Sequence, residues 1–98
     1  MLVKIHNSYR EVIAICDSEL LGKKFEEGEK VIELTDNFFN GDEKTEQEVL
    51  NIMEIGASED STFNIVGKQS VACALKVGII QQGGVFKIQN IPVALALL

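Results

Sequence analysis

The sequence contains no tryptophan, one histidine, one proline and two cysteines. A structural zinc site needs four Cys, His or carboxylate ligands at regular spacing, and His6, Cys16 and Cys73 do not make that set, so no metal is expected. A cysteine pair this far apart, behind an N-terminus with no basic leader and apolar core, reads as two reduced, buried thiols in a cytoplasmic protein. Apolar runs are short. None approaches the roughly 20 residues of a membrane span, and the C-terminal Ile91–Leu98 stretch is interrupted by Pro92, so it reads as a core strand and no membrane partner is expected. Tyr9 is the only tyrosine and the five phenylalanines lie in apolar contexts, which leaves no platform for stacking bases and predicts at most weak direct binding of nucleic acid.

Acidic residues are also absent from one stretch. Residues 61–98 carry Lys68, Lys76 and Lys87 and no acid, a local charge of +3 in a chain whose net charge is −6. The balance lies in residues 25–60, where twelve acids face Lys30 and Lys44; residues 1–24 carry +1. Most of this acidity reads as solvated helix and loop surface. The asymmetry nevertheless polarises the molecule, so that one face is able to meet an anion while the whole repels one.

What remains is ordinary globular material. With 98 residues, 46% hydrophobic and 24% charged, the chain fits one α+β domain spanning residues 1–98 with enough apolar surface for a core. Val3 and Ile5 alternate with Lys4 and His6 over 2–7, the period of a half-buried strand, and a second, more apolar strand follows over 11–16. Asp17 to Gly22 reads as one helical turn with Asp17 as its cap. A third strand is predicted over 30–35, and Asp36–Gly41 is a turn or short helix that tucks in Phe38 and Phe39. Thr45 and Glu48 form a capping box at the start of a helix over 45–55.

Steps of three and four linking Phe63, Val66, Gly67, Ser70, Val71, Ala74, Leu75 and Gly78 predict a second helix, starting near Ser61 or near Val66 and ending at Gly78. Strands over 85–89 and 93–97 close the chain, with Pro92 suited to a strand start or an edge because it lacks an amide donor. Strands grouped at both ends with helices between them predict a mainly antiparallel sheet packed by two helices.

No catalytic set emerges. Cys16 would need a base to make its thiolate, and His6 is the only imidazole, reachable only through hairpin pairing; the simpler reading keeps Cys16 in the core and His6 in solvent. Carboxylates such as Glu26, Glu27, Glu29 and Glu33, or Asp42 and Glu43, sit in watery turns without the shared apolar environment that separates acid from base. Gly67-Lys68-Gln69-Ser70 resembles part of a phosphate loop, but Thr62 stands where an earlier glycine belongs and Gln69 separates the lysine from the serine. If the helix starts at Val66, amides around Gly67 and Gln69 with Lys68 form an anion site; if it starts at Ser61, they are already bonded.

Three blocks also carry a resemblance: Leu21-Gly22-Lys23-Lys24-Phe25-Glu26-Glu27-Gly28, Asn64-Ile65-Val66-Gly67-Lys68-Gln69-Ser70-Val71, and Leu75-Lys76-Val77-Gly78-Ile79-Ile80. They resemble successive segments of an archaeal family, domain of unknown function 424, over nearly the whole chain. Family members often carry an acid after the block's glycine, where this chain has Lys68. The resemblance implies an archaeal cytoplasmic protein of this length and brings no established activity.

Two functional expectations follow. The first is a non-enzymatic interaction module, without cofactor, that docks on a protein or ribonucleoprotein partner, with the translation machinery as one home, or that pairs with a second copy through a sheet edge. The second is a small-ligand or nucleotide-binding protein, or an enzyme, built on Asn64, Gly67, Lys68, Gln69 and Ser70.

Overall fold

The computed structural model describes residues 1–97. Strands β1 (Leu2–His6) and β2 (Val12–Cys16) form the expected antiparallel hairpin, with Val3 opposite Ile15 and His6 opposite Val12. A single 3-10 turn, Ser18–Leu20, leads into two short strands, β3 (Lys24–Glu27) and β4 (Lys30–Glu33), which among the described residues pair only with each other, as a separate ribbon. The short helix α1 (Asp36–Phe39) buries Phe39, and β5 (Asp42–Glu43) pairs with β1. Helix α2 (Glu46–Ser58) begins at the predicted capping box: Thr45 Oγ1 accepts from the Glu48 amide at 3.2 Å, and Glu48 accepts from the Thr45 amide at 2.9 Å.

The chain then departs from the expected helix. Thr62–Val66 is a strand, β6, and helix α3 runs only from Lys68 to Val77. Phe63 and Ile65 are fully buried on one face of β6 while Thr62 and Asn64 are half-buried on the other, a period of two. The step of three from Phe63 to Val66 fits helix and strand alike; the run Thr-Phe-Asn-Ile-Val, rich in β-branched and aromatic side chains, packs better on a pleated surface. Gly78 does take the left-handed exit from α3, at φ +91°.

The last elements are a 3-10 turn, Gln82–Gly84, then β7 (Val85–Ile88) and β8 (Ile91–Leu97). The main sheet has six strands in the order β5-β1-β2-β6-β8-β7. All its pairings are antiparallel except β2 with β6, which is parallel, so the sheet is mixed within an α+β fold. The strand predicted over 30–35 lies outside this sheet, in the ribbon, and the C-terminal strand lies inside it, flanked by β6 and β7.

Each face of the sheet has its own core. Ile13, Ile15, Phe63, Ile65, Ala94 and Ala96 meet Val49, Met53, Val71 and Ala74 of α2 and α3. Ala14, Cys16, Val66 and Val93 meet Leu20, Leu34 and Phe39 beneath the ribbon and α1. Each fully buried Ile or Phe side chain contributes about 2–3 kcal/mol of transfer free energy, so the two cores together clamp β2 and β6 as the centre of the fold. Among the described residues, no helix is long and apolar enough to cross a membrane.

Candidate functional site

The Asn64–Ser70 block is the point where the chain leaves the sheet for the helical layer, and its residues separate accordingly. Asn64 pairs with Ala14 and Leu95 and faces the ribbon side, in a cleft of about 280 Å³ shared with Phe38, Phe39 and Leu95. Gly67 makes the turn at φ +116°, and its amide donates to the Pro92 carbonyl at 2.9 Å. A side chain at this position would collide with the carboxylate of Asp17.

That carboxylate occupies the start of α3. Asp17 Oδ2 accepts from the Gln69 amide at 3.0 Å, and Oδ1 accepts from the Ser70 amide at 2.9 Å and the Ser70 hydroxyl at 2.8 Å. Asp17 and Ser70 are both buried. The anion expected at these amides is therefore the chain's own carboxylate, brought from the end of β2, and the main-chain donors of Gln69 and Ser70 are already used. Nor does Asp17 cap its own 3-10 turn, as its neighbourhood in sequence predicted; that turn has no side-chain cap. Within the block only Lys68 and Gln69 are exposed, and they border different hollows: Lys68 stands beside Pro92, Gln69 beside Met1 and Lys44.

The candidate thiol pair with histidine is also separated. His6 lies opposite Val12 and Cys16 opposite Leu2, at the two ends of the hairpin. His6 is not in open solvent either: its ring stacks on Phe38 with centroids 4.7 Å apart, and Nε2 lies 2.9 Å from the Phe38 carbonyl. Burial, and then the charge of Asp17, push the Cys16 thiol up to about 11, and burial raises Cys73 as well, so both stay protonated at neutral pH. Among the described residues, no three His, Cys, Asp or Glu side chains converge as metal ligands.

The open feature is the far edge of the sheet. Strands β7 and β8 join through Gln89 and Asn90, both left-handed at φ +51° and +67°, as a two-residue hairpin loop requires. The ribbon holds this loop: the Gln89 amide donates to Glu27 at 2.6 Å, and its side-chain amide donates to the Glu26 carbonyl at 2.9 Å. Hydrogen-bonded and non-bonded pairs alternate along an antiparallel ladder, and the pair closing a two-residue loop, Ile88–Ile91, is bonded. Lys87 and Pro92 are therefore a non-bonded pair, the position at which a proline is tolerated, and the Pro92 carbonyl points the other way, to Gly67. By the same alternation, the Lys87 amide and carbonyl point outward from the sheet, where β7 has no hydrogen-bonded neighbouring strand among the described residues, although β3 and β4 of the ribbon approach it.

A groove of about 270 Å³ runs between this edge and α3. Val71, Leu75, Val85 and Pro92 form its apolar floor, and Lys68 and Lys87 stand at its sides. Of the nearby lysines, Lys76 reaches Glu46 at 3.6 Å; among the described residues Lys68 and Lys87 have no acidic partner within 4.0 Å. On the other face of β7, Lys30 lies over the Phe86 ring, 5.9 Å from its centroid. Sequence reasoning singled out Lys68 but missed Lys87. The available signal was the acid-free stretch after residue 60, which leaves lysines there without nearby counter-charges.

A mixed six-stranded sheet with α2 and α3 on one face, the ribbon and α1 on the other and an edge bordered by lysines defines an α+β sheet protein with an exposed strand. The chain belongs to the family described as "Protein of unknown function (DUF424)", whose model matches residues 5–97. Its fold is similar to that of an uncharacterized conserved protein from Methanopyrus kandleri in a crystal structure, with a TM-score of 0.82 and 18% sequence identity over 96% of this chain and 87% of that one. At that identity the likeness concerns the fold alone. No curated protein matches the chain.

Proposed function

We propose that the protein is a non-enzymatic interaction module that accepts an extended segment of a partner protein, free or within a ribonucleoprotein, along β7. The observation that carries this reading is the outward-facing main chain of Lys87 at the end of a six-stranded sheet, backed by an apolar groove. An unpaired edge offers donors and acceptors in register, and the groove gives side chains of an added strand a surface to bury. Two copies pairing antiparallel with Lys87 opposite Lys87 would set like charges against each other, so a second copy fits only in a register that offsets them, such as Lys87 opposite Val85.

The test uses two substitutions at one position. Lys87→Ala removes the ammonium and keeps the edge amide; Lys87→Pro also deletes the amide, at a place where β8 does not use it. Affinity capture with the wild type and Lys87→Ala should retain a common partner that Lys87→Pro loses, with all three proteins melting cooperatively. Recovery of the bait alone, or equal capture by Lys87→Pro, rejects the reading.

The cleft over Asn64 favours a second reading, a small-molecule site. Its mainly apolar walls, with Asn64, Glu33 and Thr35 as the polar groups, resemble the balance of small ligand pockets. A thermal-shift screen of neutral and phosphorylated metabolites discriminates, because ligand at a hundred times its dissociation constant adds about 2.7 kcal/mol.

A further inference from the structure

We propose that the β7 edge selects an acidic extended segment, whose carboxylates are received by Lys68 and Lys87. This inference rests on the strand-accepting reading above and adds the chemistry of the partner. The groove beside β7 has apolar residues at its floor, Val71, Leu75 and Val85, and its two lysines lack counter-charges among the described residues. All residues from 61 onward are free of acids, so α3, β7 and β8 present no negative side chain to an incoming chain. On the opposite face, the Glu27 carboxylate accepts from the Gln89 amide and the Glu26 carboxylate pairs with Lys24 at 3.1 Å, so both already have partners.

In an added strand, side chains alternate between the two faces of the sheet. Those on the helical face meet Val85 and Lys87 with Lys68 behind them; those on the other face meet Phe86, with Lys30 above it. A segment alternating acidic and apolar residues satisfies this pattern in either register, because each face offers both an apolar surface and a cation. Lysine on an edge strand also discourages indiscriminate pairing, and a basic or purely apolar segment would leave the ammonium groups uncompensated. The same two lysines that guard the edge thus choose its occupant. Nucleic acid fits less well, because the groove on the helical side offers no aromatic ring on which a base could stack.

The experiment measures fluorescence anisotropy of two short labelled probe peptides, one alternating valine and glutamate and one alternating valine and lysine, against the full chain. The acidic probe should bind about five- to tenfold more tightly in low salt, the range expected of two exposed pairs, and the gap should narrow as salt screens them. The double variant Lys68→Glu/Lys87→Glu, altering two exposed side chains, should invert the preference while its thermal melt stays cooperative. Lys87→Pro should abolish binding of both probes. Equal affinity for the two probes overturns the acidic selection but leaves the strand-accepting edge standing. Binding of neither probe overturns both. Tighter binding of an oligouridylate that displaces the acidic probe assigns the lysines to nucleic acid and overturns the proposal. So does a concentration-dependent dimer in sedimentation that Lys87→Pro dissolves, since the edge then belongs to a second copy.

Discussion

Asp17 ties together parts of the chain that are far apart in sequence. Its amide extends the β2–β6 ladder by donating to the Val66 carbonyl at 3.1 Å, while its carboxylate caps α3 through three further bonds. Replacing it with alanine strands two amides and a buried hydroxyl, each costing about 1–3 kcal/mol. Partial rehydration of the helix start limits the total, and chemical denaturation of Asp17→Ala should show a loss of about 3 kcal/mol, with Asp17→Asn losing less. Gly67→Ala should lose at least about 2 kcal/mol, because the left-handed turn is strained for any other residue and the methyl group meets the same carboxylate. Cys16 gives a pH signature. Folding raises its thiol from the ordinary 9.0 to about 11, so the folded state keeps a proton that the unfolded state loses. Stability owed to this thiol is intact below about pH 9 and drains away as pH rises through about 11, by up to about 1.4 kcal/mol per pH unit. Denaturation curves between about pH 8 and 11 should fall more steeply for the wild type than for Cys16→Ala; parallel curves reject the assignment. None of Asp17's tertiary bonds was legible in the sequence, because its partners lie 52 and 53 residues away and a local reading makes it the cap of the next turn.

Elements governed by neighbouring residues were readable, and those governed by distant pairing were not. The capping box of α2 depends on Thr45 and Glu48 alone, and it formed as predicted. Thr45→Ala should cost about 1 kcal/mol, seen as a lower midpoint in urea without a change in slope. The first hairpin, the 3-10 turn and the exit of α3 at Gly78 were local in the same sense. Strand β6 was not. Its five residues carry a spacing compatible with helix, and what makes them a strand is the slot between β2 and β8, where both neighbours supply main-chain partners. Likewise β4 alternates as a sheet strand should, but nothing within Lys30–Glu33 says that its only partner is β3. The candidate site shared this limit. Lys68 could be singled out because it follows Gly67, whereas Lys87 gains its meaning from β7 being the last strand of the sheet.

At the scale of the molecule, charge and topology coincide. The acidic middle of the chain supplies the ribbon, α1, β5 and α2, while the acid-free remainder supplies β6, α3, β7 and β8. The polarity read from the sequence is thus carried onto the structure as separate elements, and β7 is the edge where the basic part meets solvent. The same topology sets the order in which the sheet can be finished. Strand β2 is the most apolar segment of the first half, and its second neighbour, β6, begins only at Thr62. During synthesis, Val12–Cys16 must wait with one side naked until roughly fifty further residues have emerged, a situation that favours pairing with other chains. A fragment ended at Asp60 should therefore scatter light and sediment under conditions where the whole chain stays dispersed. A cell making this protein has reason to keep a chaperone close to the ribosome for as long as the keystone strand is still missing.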